Sequence, residues 1–237
     1  MSILFIADLH LQNVNDASYQ RFEKFLKSKA RHARALYILG DLFEYYLGDD
    51  VQSDLYQQVA TAIEELVCQY QTACYFMAGN RDFLLGQNFC EHLHLLNDPY
   101  CLQLDEHKII LTHADALCTD DIAYQKIRQQ LRDKKWQQGF LAQSIENRIA
   151  FAKDARKQSQ KHTQSASEYI MDVNQHALMA LFQQENCRTM LHGHTHRPAF
   201  HQFSHNNKDY LRMVLGDWHR QISYIEYRNQ HFSLQTC

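Results

Sequence analysis

The 237-residue sequence predicts a layered α/β fold. Three observations carry the prediction. Short apolar runs recur and end at Asp, Asn or His; segments of helical period separate them; and three of the seven glycines directly precede Asp41, Asn80 and His194. Short apolar runs bounded by Gly or Asp read as strands buried on both faces. With 45% hydrophobic and 22% charged residues, the chain can bury one good core, and disorder is excluded.

The elements follow in order. Ile3-Leu4-Phe5-Ile6-Ala7 is the first strand and ends in Asp8-Leu9-His10. A helical period covers 17–29. Ala35-Leu36-Tyr37-Ile38-Leu39 is the second strand and ends in Gly40-Asp41. A second helical period covers 51–70. Ala73-Cys74-Tyr75-Phe76-Met77-Ala78 ends in Gly79-Asn80-Arg81-Asp82, and Ile109-Ile110-Leu111-Thr112 ends in His113. A third helical period over 170–184 precedes Thr189-Met190-Leu191, which runs into His192-Gly193-His194-Thr195-His196. The stretches 210–215 and 222–234 alternate apolar and polar residues and read as antiparallel strands finishing a sheet.

Segment 120–167 departs from this alternation and reads as a helical insertion within one domain spanning 1–237. It holds one Gly and no Pro, and between 120 and 161 ten Lys/Arg face five Asp/Glu, a net of +5 in a chain of net −3. Tyr124, Ile127, Leu131, Phe140, Ile145 and Ile149 fall at helical spacing, and all of these but Ile127 are expected to line an apolar slot. A solvated helical hairpin with an ordinary charged face is the plainer alternative. Basic and apolar residues together also describe helices that lie on a membrane surface. The overall negative balance rules out a global basic field, and the insertion lacks the aromatic strand patterns of single-strand binders, so no nucleic-acid partner is expected.

Ligand sites in α/β sheets gather at the carboxyl ends of strands. The run ends deliver Asp8, His10, Asp41, Asn80, His113, His194 and His196 to one sheet edge. Asp and His with one neutral Asn, and no thiolate, suit a borderline divalent ion such as Mn²⁺, Fe²⁺ or Zn²⁺. Seven ligands exceed what one ion needs; two ions sharing a carboxylate use them well. Asp-x-His and His-x-His predict two side chains on one side of an extended segment. Singly these signals are weak, since a lone His is more often structural and Asn80 could be a turn residue. Together they are strong.

The order Asp-x-His, Gly-Asp, Gly-Asn-Arg-Asp, Thr-His, Gly-His-Thr-His, spanning residues 8 to 196, resembles the calcineurin-like metallophosphoesterases. The resemblance implies a β-sandwich core flanked by helices. It also implies a dinuclear site, with Asp8, His10, Asp41 and His196 on one ion and Asp41, Asn80, His113 and His194 on the other. The stretches Gly79-Asn80-Arg81-Asp82-Phe83, Leu117-Cys118-Thr119-Asp120-Asp121, Ile170-Met171-Asp172-Val173-Asn174-Gln175 and His192-Gly193-His194-Thr195-His196-Arg197-Pro198 are similar to the branch of that superfamily that cleaves UDP-2,3-diacylglucosamine in lipid A synthesis. That narrower resemblance implies two Mn²⁺ per chain, UMP and 2,3-diacylglucosamine 1-phosphate as products, and a helical cap holding the acyl chains. It implies substrate contacts at Asn80, Arg81, Asp121, Tyr124, Arg156, Ser159 and His194, with Thr163 and Ala166 standing where the branch has Asn and Lys. An Ala166 contact would then be through backbone or packing alone. The loop His113-Ala114-Asp115 also differs, since the branch often has Gly after the His.

Arg81 carries a separate inference. Many members of the superfamily hold a His there, which can protonate a leaving alkoxide. Arg cannot, because it stays protonated, and its planar fork instead suits phosphate. A leaving group that departs unaided as an anion, such as a phosphate from an anhydride, is expected. The catalytic groups are then Asn80, Arg81 and His194 beside a metal-activated water. The resemblance implies that this water attacks the phosphorus nearer uridine. The alternative for Arg81 is a structural pair with Asp82 or another carboxylate.

The seven cysteines are odd in number and none forms a CxxC pair, so free thiols in a reducing compartment are expected. Met1-Ser2 carries no basic leader and the first apolar run meets Asp8, so a cytoplasmic protein is expected. The resemblance implies a peripheral place on the cytoplasmic face of the inner membrane. A soluble nucleotide phosphohydrolase remains the rival within the class. A scaffold that has kept the fold and lost the reaction is the rival outside it.

Overall fold

The computed structural model describes residues 2–165 and 170–236. Among these residues, eleven strands form two sheets. In the first, β1 (Ile3–Ile6), β2 (Ala35–Leu39), β3 (Ala73–Met77) and β4 (Leu93–Leu96) run parallel, and β10 (Ser223–Arg228) and β11 (His231–Thr236) extend it antiparallel beyond β1. In the second, the order is β5 (Tyr100–Leu104), β6 (His107–Thr112), β7 (Thr189–His192), β9 (Lys208–Val214) and β8 (Ala199–His205), with β6, β7 and β9 parallel.

Strand alternation distributes the core into three layers. Ile3, Phe5, Leu39 and Met77 face Ile109, Leu111, Leu191 and Met213 between the sheets. Leu4, Ile6, Leu36, Ile38 and Phe76 turn outward and are covered by α1 (Ala17–Ser28) and α2 (Asp54–Cys68). Ile110 and Met190 turn to the other side and are covered by Leu178, Met179 and Phe182 of α6 (Gln175–Gln184). The result is a β-sandwich flanked by helices, the expected class.

Three expectations need correction. The third helical period does not begin at 170: α6 begins at Gln175, because the Asn174 side chain accepts from His176 N and Ala177 N and caps it there. The two alternating stretches near the carboxyl end do not finish one sheet. β9 sits inside the second sheet, while β10 and β11 form a hairpin closing the first. Also, β4, β5 and β8 are strands that the sequence pattern does not mark: β4 and β5 are short, interrupted by His94 and Gln103 and only partly buried, and in β8 Phe200, His201 and Gln202 are all exposed.

Between β6 and α6 lie α3 (Ile122–Leu131), α4 (Lys134–Leu141) and α5 (Ile145–Ser165). The expected apolar stripe is only partly inward. Phe140 is buried, stacked on Trp136 at 5.0 Å and edge-on to Phe151 at 5.2 Å. Ile127 instead points out, 51% exposed. Arg148 on α5 is 2% exposed and donates to Leu47 O at 2.6 Å and to both carboxylate oxygens of Asp50. A Cβ on Gly48 would stand 2.7 Å from Arg148 Nη1, and Gly48 is left-handed, so glycine admits the guanidinium.

Candidate metal centre

The loops leaving β1 and β2 run side by side: Asp8 N donates to Gly40 O, His10 N to Asp41 O and Leu11 N to Leu42 O. Asp82, wholly buried, fastens the β3 loop to them. Its carboxylate accepts from Leu42 N at 2.7 Å and Gly79 N at 2.9 Å. Asp82 is therefore spent on backbone, and Arg81 does not pair with it. Gly79 lies so close to Asp41 that a Cβ would overlap the Asp41 carboxylate, and a Cβ on Gly193 would lie 2.6 Å from Asp8 Oδ2.

Asp8, His10, His194 and His196 all adopt left-handed backbone, with φ of 58°, 50°, 68° and 54°. The expectation that each pair projects from an extended segment is thus corrected. The residues sit in tight loops, and Asp and His tolerate that region better than most. The loops still aim the pairs inward.

All seven predicted ligand side chains meet. His196 Nε2 lies 3.4 Å from Asp8 Oδ1 and 3.3 Å from His10 Nε2. On the other side His113 Nε2 lies 3.6 Å from Asp41 Oδ1 and 2.9 Å from Asn80 Oδ1, and Asn80 Oδ1 lies 2.9 Å from His194 Nδ1. The second Asp41 oxygen faces His10 Nδ1 at 3.9 Å, so one carboxylate stands between both groups.

The donor set fits divalent cations. His113 Nδ1 lies 2.8 Å from Leu39 O and carries its proton there, so in the neutral ring Nε2 is an acceptor facing the Asn80 carbonyl, another acceptor. Asp8 Oδ1 is buried with no hydrogen-bond partner. Burial raises the Asp41 carboxyl; His113 pulls it back, while Asp82 and Asp8 push it up further. Burial would also raise Asp8, yet His196, His113 and His10 outweigh it and hold it well below the usual carboxylate range. Burial drives His194 down to about 3, with His113 adding to the fall, which leaves its imidazole neutral. Burial would lower the His113 imidazole, yet Asp41 and Asp8 outweigh it and raise it to about 9. The crowded carboxylates thus draw positive charge into the centre, which a bound cation would supply.

Around this centre lie most of the predicted substrate residues. Arg81 Nη2 donates to Ser159 Oγ on α5 at 3.1 Å, and Arg156, also on α5, pairs with Glu44. Tyr124 donates through its hydroxyl to Asp115 at 2.8 Å, and its ring centroid is 5.8 Å from that of His194. Asp121 caps α3 by accepting from Tyr124 N. Thr163 lies on the α5 backbone. Ala166 lies outside the described residues.

Sequence reasoning missed two residues here. Glu44 is buried, 3.6 Å from His10 Nδ1 and 3.9 Å from Arg81 Nη1. Its signal is a lone carboxylate in the aromatic run Leu42-Phe43-Glu44-Tyr45-Tyr46. His219 stacks on His10 at 5.6 Å with rings 10° apart. It follows the same punctuation as the other strand ends, in Gly216-Asp217-Trp218-His219 after β9.

A two-sheet sandwich with Asp, His and Asn gathered at its strand ends defines a metal-dependent phosphoesterase. The chain belongs to the calcineurin-like phosphoesterase family, whose model matches residues 1–198, and is a hydrolase of that family. It is similar along nearly its whole length to proteins named UDP-2,3-diacylglucosamine hydrolase. The one from Proteus mirabilis is 42% identical over 236 residues, covering 99% of this chain and 98% of the relative. Those from Yersinia enterocolitica and Aromatoleum aromaticum are 43% and 41% identical, covering 95% and 96% of this chain and 95% and 93% of theirs.

Proposed function

We propose that this protein hydrolyses the diphosphate of UDP-2,3-diacylglucosamine in lipid A synthesis, releasing UMP and 2,3-diacylglucosamine 1-phosphate. The observation that carries the reading is Arg81. It sits beside the seven-ligand centre, with one guanidinium nitrogen on Ser159 Oγ and another toward Glu44. A fixed cation of this kind offsets charge on a diphosphate and cannot protonate an alkoxide, so it matches an anhydride whose leaving phosphate needs no proton.

Asp8, His10, Asp41 and His196 would hold one Mn²⁺ and Asp41, Asn80, His113 and His194 the second. When bound, the pair supplies an acidified water nucleophile and neutralises phosphoryl charge. Hydrolysis would form a bond from a water oxygen to the phosphorus nearer uridine and break that phosphorus's bond to the bridging oxygen, which leaves with the sugar phosphate; the water's two protons would pass to solvent or to the two phosphate monoesters. Asn80, Arg81 and His194 position the diphosphate. Asp121, Tyr124, Arg156 and Ser159 line the sugar side, and Thr163 and Ala166 belong to the same stretch of the insertion.

The helices α3 to α5 act as a cap within a single domain. Their excess of Lys and Arg, with Ile122, Ile127, Leu141 and Phe151 exposed, suits peripheral contact with the cytoplasmic face of the inner membrane. Among the described residues no helix is long and apolar enough to cross a membrane. Nucleic acid is not a partner in this reading.

The test is turnover of the diacylated substrate by the Mn²⁺-loaded protein in heavy-oxygen water. UMP carrying the label is expected. Label in the sugar phosphate overturns the site of attack, and equal kcat/KM for deacylated substrate replaces the lipid reading with a soluble nucleotide hydrolase.

A further inference from the structure

A second group of metal-ligating side chains lies outside the centre described above. Glu64 and Cys68 are one turn apart on α2, so both occupy the same helix face. Segment 90–92, which leads into β4, packs along that face. Cys90 Sγ is turned to Ala60 O at 3.8 Å, a further turn back, and His92 reaches the next position. His92 Nε2 lies 3.6 Å from Cys68 Sγ and 4.0 Å from Glu64 Oε1. One carboxylate oxygen, one sulfur and one imidazole nitrogen thus lie within 4.8 Å of one another.

These groups stand at the opposite edge of the first sheet from the catalytic loops. Cys68 ends α2 just before β3 begins, and His92 immediately precedes β4, whereas Asp8, Asp41 and Asn80 follow the far ends of their strands. Cys68 is exposed, so the group is open to an ion from solvent.

We propose that Glu64, Cys68 and His92 form a surface site for a thiophilic late first-row divalent ion of the Zn²⁺ class. A thiolate with imidazole and carboxylate selects such an ion over Mg²⁺ or Mn²⁺, which prefer oxygen. Three protein ligands leave a fourth tetrahedral position to water. Binding forms the metal–sulfur bond and releases the Cys68 thiol proton to solvent.

The seven ligands of the catalytic centre include no sulfur, so the two sites differ spectroscopically. The full-length protein, its catalytic centre loaded with Mn²⁺, is titrated with Co²⁺ under reducing conditions. A thiolate-to-cobalt charge-transfer band in the near ultraviolet is expected, quenched by Zn²⁺ and lost in Cys68→Ala and in His92→Ala, with turnover in excess Mn²⁺ unchanged in both. Zn²⁺ should also slow alkylation of Cys68, read by mass spectrometry of its peptide, in the wild type and not in Glu64→Gln/His92→Ala. A wild type without the band, or a band that survives Cys68→Ala, overturns the site.

Discussion

Ser159 Oγ accepts a hydrogen bond from Arg81 Nη2 at 3.1 Å. One side chain from the β3 loop and one from α5 thereby meet beside the metal centre. Whatever Arg81 does to a diphosphate, α5 helps to aim it.

Arg81→Ala should therefore lower kcat/KM for the diphosphate substrate by ~2–4 kcal/mol, the range for losing one transition-state donor. Ser159→Ala should cost less, because the guanidinium keeps its charge and loses only its aim. Steady-state kinetics of both variants measure this. An Arg81→Ala protein with wild-type kcat/KM removes the charge-clamp role.

Asp41 faces both groups of ligands, toward His113 on one side and His10 on the other. Asp41→Ala should abolish nearly all turnover and lower the bound metal at both positions. His10→Ala should empty one position more than the other. Elemental analysis alongside activity titration separates the two. Two bound ions and a normal rate in Asp41→Ala exclude a shared carboxylate.

Removing metal should destabilise the fold. Asp8 and Asp41 are buried together, and Asp8 Oδ1 has no hydrogen-bond partner. Ligand linkage predicts about 2.7 kcal/mol of stabilisation at a free ion concentration 100 times Kd. Thermal unfolding after chelation should show a lower Tm, recovered on adding Mn²⁺. A Tm indifferent to Mn²⁺ contradicts the cation-binding reading.

Asp50→Asn should loosen the docking of α5. Arg148 is buried at 2% exposure and would keep Leu47 O and a neutral amide in place of the carboxylate. Weakening a charge-assisted hydrogen bond at a buried group costs about 1–3 kcal/mol. Because Asp50 itself is largely exposed, the low end is expected. Hydrogen exchange should rise along α5 while the β-sandwich stays protected.

The cap should confer preference for acylated substrate. Each buried methylene contributes about 0.8 kcal/mol, so two acyl chains supply ample binding energy and a bare UDP-sugar none. Phe140 is packed between Trp136 and Phe151, so Phe140→Asp would disrupt the helices themselves. Phe151→Ser, at a half-exposed position, is the better probe. It should narrow the kcat/KM ratio of diacylated to deacylated substrate with metal content intact.

The sequence by itself determined the strands that carry chemistry and the side chains at their ends. Apolar runs that stop at Gly-Asp, Gly-Asn or His are local signals: the run demands burial, and the stop places a polar group at the sheet edge. Seven side chains were legible for that reason. Tertiary structure decided what depends on chain crossings. Glu44 reaches Arg81 and Arg156, and His92 reaches Cys68, only because distant segments pack together. The terminal strands divide between two sheets because β9 pairs parallel with β7 while β10 pairs with β1, a choice that alternation along one strand does not contain. The left-handed backbone at Asp8, His10, His194 and His196 is likewise imposed by neighbouring loops: Asp8 N donates to Gly40 O, and His194 N to the Asp8 carboxylate at 2.8 Å. Composition names the atoms available for a site, and packing decides which of them face one another, since a buried polar group is stable only where the fold brings it a partner.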